Sequence, residues 1–102
     1  MPDRIPIIAT VRVLHADPVN GSVFFIRALE VPEVPQVGDH LYVDSAETRL
    51  REVTHRDWGF DGTPNIRLAT MSTIRDAMSG PAASVEELLR DGWKRDPVQS
   101  KS

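Results

Sequence analysis

The chain has 102 residues, with 12 Lys and Arg against 15 Asp and Glu, three His and no Cys. That length fits one domain with a modest core. The missing cysteines exclude a disulfide framework, a thiolate metal site and a cysteine nucleophile. No run of about 18 apolar residues is present to cross a membrane as a helix. No basic, apolar leader opens the chain, so a cytoplasmic location is expected.

The formal net charge of −3 argues against general nucleic-acid binding, which draws on a basic surface. Residues 1–70 hold the whole −3, and residues 71–102 are neutral. Ten of the twelve cations are Arg, a side chain suited to bidentate contacts with carboxylates and phosphates. A GC-rich genome produces the same bias without any functional cause.

Residues 5–15 alternate: Ile7, Ala9, Val11 and Val13 face one way, Thr10 and Arg12 the other. This is a strand with one buried face, and Pro6 marks its start or an edge. Asp17-Pro18-Val19-Asn20-Gly21 then combines a turn opener, a preset φ and a pair that accepts positive φ. It predicts a hairpin into Val23–Leu29. That second strand is apolar on both faces, with Phe25 and Leu29 opposite Phe24, Ile26 and Ala28. Cover on both sides is therefore expected, from a helix, a curled wall or another subunit.

Residues 31–39 form a Pro-punctuated loop, and Gly38-Asp39 turns it into a short strand over 40–44. A fourth strand over 48–55 has Leu50 and Val53 out of phase. A bulge near Arg51-Glu52 would put both inside. A loop with two glycines and two aromatics, Asp57 to Pro64, leads to a fifth strand over 65–71. A helical segment is expected over 72–93. Ser72 begins one or two turns on Ile74, Ala77 and Met78, and Gly80-Pro81 ends them. Ser84-Val85-Glu86-Glu87 is a capping box, Gly92 is a stop, and Trp93 can fold back onto the core. Residues 94–102 read as a disordered tail.

The stretch Pro35-Gln36-Val37-Gly38-Asp39-His40-Leu41, with Val53-Thr54-His55 after it, resembles small SH3-like β-barrels. In those a Val-Gly-Asp corner opens a strand and the next strand packs a valine against it. The resemblance covers about residues 22–71 and implies a fold, not an activity. The chain lacks the Tyr-rich acidic motif of peptide-binding SH3 domains and the lysines of nucleic-acid-binding barrels. The expected fold is mostly β: a five-stranded antiparallel meander, as an SH3-like barrel or strongly bent sheet, with a short C-terminal helix. Residues 1–93 form one domain in this reading.

Three sets of residues are candidates for chemistry. Arg12, Arg27, Arg51 and Arg67 lie on four different strands and could form a stripe for an anion, an RNA backbone or an acidic partner. The plainer reading is a solvated face. Trp58 and Phe60 either anchor a partner or plug an open barrel end. His15, His40 and His55 fall at strand ends; they match no metal-ligand spacing, but a shared rim could gather them. No nucleophile elbow, phosphate loop or paired-carboxylate motif is present, so no catalytic residue is named. The expected function is a non-catalytic binding or adaptor module, with no cofactor and no membrane. Its partner would be another protein or a second copy, in a homodimer. Two alternatives stay open: an RNA- or anion-binding barrel using the arginines, and a small metal-dependent enzyme using the histidines.

Overall fold

The alternating segment becomes a strand of 13 residues, β1 (Ile5–Asp17). In the computed structural model, which describes residues 4–17, 21–43, 50–74 and 84–96, Ile7, Ala9, Val11 and Val13 are fully buried. Arg12 is exposed, as the alternation demands. β2 (Gly21–Val31) returns antiparallel, with Val13 beside Val23 and Ile5 beside Val31. Asp17 pairs with Gly21 at the expected hairpin end; residues 18–20 of that turn lie outside the described residues.

β3 (His40–Tyr42), β4 (Leu50–Trp58) and β5 (Pro64–Ser72) follow. Then come α1 (Val85–Arg90) and β6 (Lys94–Arg95). The six strands form one open sheet in the order β3-β4-β5-β1-β2-β6. The fold is mostly β with one short helix. It is not a five-stranded antiparallel meander and not a closed barrel. β1 and β5 run parallel through the middle, Ala9 beside Ile66 and Val11 beside Leu68, while every other pairing is antiparallel. Parallel neighbours need a long connection, and β2 to β4 supply it.

Three local expectations also change. Lys94 and Arg95, read as tail, form an edge strand against Ile26 and Phe25, and the Asp96 amide donates to the Phe24 carbonyl at 2.8 Å. The register slip in β4 lies between Val53 and His55, not near Arg51, so Val53 is buried but Leu50 is exposed beside Tyr42. Ser72 is the buried last residue of β5, and its Oγ accepts the Ile74 amide at 3.0 Å. The expected helical turns through Ala77 and Met78 lie outside the described residues.

One face of the sheet is covered. Its core joins Ile7, Ala9, Val11 and Val13 of β1, Val23 and Phe25 of β2, Val43 after β3, Val53 of β4, and Ile66, Leu68 and Met71 of β5. Leu88 of α1 and Trp93 close it. Six residues cannot hold a helix alone, so both ends are fixed by specific bonds. Ser84 caps the start, its Oγ accepting the Glu87 amide at 3.4 Å. At the other end Gly92 takes φ 98°, the Gly92 amide donates to Leu89 and the Trp93 amide to Leu88. This paired arrangement satisfies the last carbonyls and sets a buried Trp93 against a buried Leu88. The indole Nε1–H donates to the Val43 carbonyl at 2.7 Å, inside the core. Among the described residues no helix is long and apolar enough to cross a membrane.

Replacing Trp93 with Phe removes the indole donor and leaves the buried Val43 carbonyl unpaired, besides reducing core volume. We expect a loss of about 2–3 kcal/mol in urea unfolding, against about 1 kcal/mol for Ser84→Ala. Equal effects of the two changes would mean that Trp93 only fills space.

Candidate functional site

The opposite face of the sheet has no layer over it among the described residues. β1 places Ile8, Thr10 and Arg12 there. β2 sets Ala28, Ile26 and Phe24 directly beside them. β5 sets Asn65 and Arg67 on the other side, beside Ile8 and Thr10. β4 adds Asp57 opposite Asn65 and His55 opposite Arg67. Phe25 is fully buried, whereas Phe24 and Ile26 are half-exposed and Ala28 is exposed. Among the described residues the expected cover on β2 therefore exists on one side only.

Three shallow, adjoining depressions run over this face. One of about 320 Å³ is bounded by Arg12, Phe24, His55 and Arg67. One of about 280 Å³ is bounded by Ile8, Thr10, Asp57 and Arg67, with Asp96 at its rim. The third, about 450 Å³, lies between Ile8, Ile26, Ala28 and Lys94 and reaches round the β2 edge to Arg27 and Gly92. All are open, unlike the enclosed clefts that bury a small ligand. The Arg67 guanidinium lies over the Phe24 ring, 5.6 Å from its centroid. Arg12 is the cross-strand neighbour of the same Phe24. Neither arginine makes an ion pair among the described residues.

The four strand arginines are thus divided. Arg12 and Arg67 share the open face. Arg27 lies opposite Ala9, on the covered side of β2, where its Nε passes within 3.5 Å of where a Cβ on Gly92 would stand. Arg51 is half-buried, and its guanidinium donates to the carbonyls of Ala69 (3.4 Å from Nε) and Thr70 at the end of β5. Burial lowers the Arg51 pKa from its usual value. The bulge after Val53 sets that inward phase.

The histidines are spread apart. His15 is exposed at the irregular end of the β1–β2 pairing, with φ 61°, and its carbonyl accepts the Thr73 hydroxyl at 2.9 Å. His40 is exposed on the short edge strand opposite Glu52. His55 is exposed on the open face, with Nδ1 3.0 Å from Thr54 Oγ1. Among the described residues no three His, Asp or Glu side chains come together to hold a metal ion.

Trp58 and Phe60 stand at the end of the β4–β5 hairpin. Trp58 is 61% exposed and Phe60 entirely so, so neither fills the core. Arg56 lies over the Trp58 ring at 6.0 Å. Residue-by-residue reading missed Ile8, Phe24 and Ile26 as surface. The one signal for them was a strand apolar on both sides.

No family model matches this chain, and neither a curated protein nor a solved structure matches it.

The division of the arginines is measurable. Arg51→Ala strips charged donors from two backbone carbonyls and should cost about 1–3 kcal/mol in chemical unfolding. Arg12→Ala and Arg67→Ala should each cost less than about 1 kcal/mol. If these three Arg→Ala variants behave alike, the distinction between structural and surface arginines is lost.

Proposed function

We propose that the chain is a non-catalytic binding module that takes a protein partner on the open face of its sheet. The observation that carries this reading is the cluster of Arg12, Phe24 and Arg67. Two guanidinium groups without ion-pair partners among the described residues flank a half-exposed aromatic ring. A carboxylate arriving there gains bidentate hydrogen bonds in partly apolar surroundings, where they are worth more than in open water. Ile8 and Ile26, next along the face, suit an apolar side chain of the same segment. The preferred ligand is therefore a polypeptide segment that carries acidic and apolar or aromatic residues together.

A nucleic-acid strand fits less well. Asp57 and Asp96 line the adjoining depression and would repel successive phosphates. The net charge of −3 acts in the same direction.

Fluorescence anisotropy with labelled peptides that combine Asp or Glu with Phe or Trp tests the proposal, with single-stranded oligonucleotides run in parallel. Wild-type protein should bind such peptides, and the double variant R12A/R67A should bind about tenfold more weakly, which corresponds to roughly 1.4 kcal/mol. Oligonucleotide binding that falls steeply with salt, with no peptide binding, would replace this reading with the nucleic-acid one. Peptide affinity unchanged in the double variant would remove the open face from the mechanism.

A further inference from the structure

The β4–β5 hairpin ends in a defined turn. The Gly59 amide donates to the Thr63 carbonyl at 2.7 Å, and the Gly62 amide to the Gly59 carbonyl at 2.9 Å. The Thr63 amide donates to Asp61 Oδ1 at 3.0 Å. Gly62 sits at φ 87°, where a side chain would be strained. A Cβ on Gly59 would meet the Thr63 carbonyl at 3.1 Å. So many constraints on one turn hold its projecting groups in place. Those groups are Phe60, in full solvent, with Trp58 before it and Asp61 after it.

An aromatic side chain held rigidly in water is poised to be buried by something else. The tip combines aromatic rings with a carboxylate, which is the chemistry that the open face is built to receive. We propose that this tip docks on the open face of a second copy of the chain. Phe60 lies against Phe24 and Ile26 there, and Asp61 pairs with Arg67. The proposal rests on the reading of the open face as a binding surface, and it names the partner. Charge complementarity supports it: among the described residues Arg12 and Arg67 lack ion-pair partners, and Asp61 bonds only within its own turn. The Thr63 amide, and then its hydroxyl, hold the Asp61 carboxyl below its ordinary pKa, so the tip stays charged at neutral pH. Two copies related by a two-fold axis make the contact twice, as symmetric pairs do. With Phe60 entirely exposed and Trp58 61% so, each tip can bury about 240–400 Å² through its two aromatics. With the matching area on both faces the total reaches about 1,000–1,600 Å², enough for a specific interface.

Sedimentation equilibrium over about 10–500 µM reads the association directly. Wild-type protein should approach the mass of a dimer. The charge reversals R67E and D61R should each lower the association constant by at least about tenfold. Mixed one to one, they should form dimers again, because each reversed tip then meets a reversed face and each native tip a native face. Damage to the turn or the sheet cannot produce that rescue. F60A, at a fully exposed position, should weaken association without changing the far-ultraviolet circular dichroism. A wild-type monomer across the whole range overturns the proposal and leaves the peptide-binding result standing. Dimers indifferent to R67E, D61R and F60A overturn it as well. So does a mixture of the two reversals that stays monomeric.

Discussion

The hydrogen bond from the Trp93 indole to the Val43 carbonyl holds together what the strand ladder leaves apart. Val43 follows β3, at one edge of the sheet, and Trp93 precedes β6, at the other. Six strands laid flat would put those edges roughly 24 Å apart, at about 4.8 Å per neighbour. A single side chain spans the gap, so the sheet must curl tightly around its covered face. Barrel closure by backbone pairing is replaced by a buried indole. This explains why a chain with barrel-like local signals has an open sheet. Every device in α1 serves the same end. The Ser84 cap starts the helix and Gly92 stops it, and the stop aims Trp93 inward.

Curling around one face leaves the other outside. On β1 this costs little, because Arg12 tolerates water and Thr10 stays buried between its neighbours. On β2 it exposes part of Phe24 and Ile26, which have no cover among the described residues. The Arg67 guanidinium over Phe24 shields one ring face while keeping its charge in solvent. Such an arrangement lets the surface remain in solution alone and still present both attraction and apolar area to a visitor. The open face is thus a consequence of how the core is closed.

Parts of this were legible in the residues. Alternation in β1 identified the buried side chains, because period two fixes which residues share a face. The pairing of Asp17 with Gly21, the Ser84 cap and the fold-back of Trp93 depend on short-range chemistry, and each is found where its residues stand. The parallel pairing of β1 with β5 was not legible. Alternation says which face a side chain takes but not which strand lies beside it, and about fifty residues separate the two. β6 is too short for any periodicity. Arg51 looked equivalent to Arg12 and Arg67 because all three sit in strands. Only the slip after Val53, displaced from its expected position, turns Arg51 toward the β5 carbonyls. The candidate site was half-visible for the same reason: its arginines could be listed, but their sharing of a face depends on β1 meeting β5.

The distribution of the aromatics bears on what this fold is for. The chain has three Phe, two Trp and one Tyr, and only Phe25 and Trp93 are fully buried. A core this small gains most from its largest apolar side chains, since each can bury about 150–250 Å². Yet Phe24, Tyr42, Trp58 and Phe60 all keep exposed surface. Tyr42 is set by its edge strand, and Phe24 by the outer face of β2. The hairpin is different. Its buried residue nearest the tip is Pro64, the partner of Trp58, and beyond that pair the turn is shaped by its own hydrogen bonds. Trp58 has Arg56 over its ring and Pro64 beside it, but stability of the monomer gives no reason for a ring at 60, where a polar residue would serve the fold better. Contact with another surface would give one, and under the proposed self-association the cations flanking Phe24 are the matching surface within the same chain.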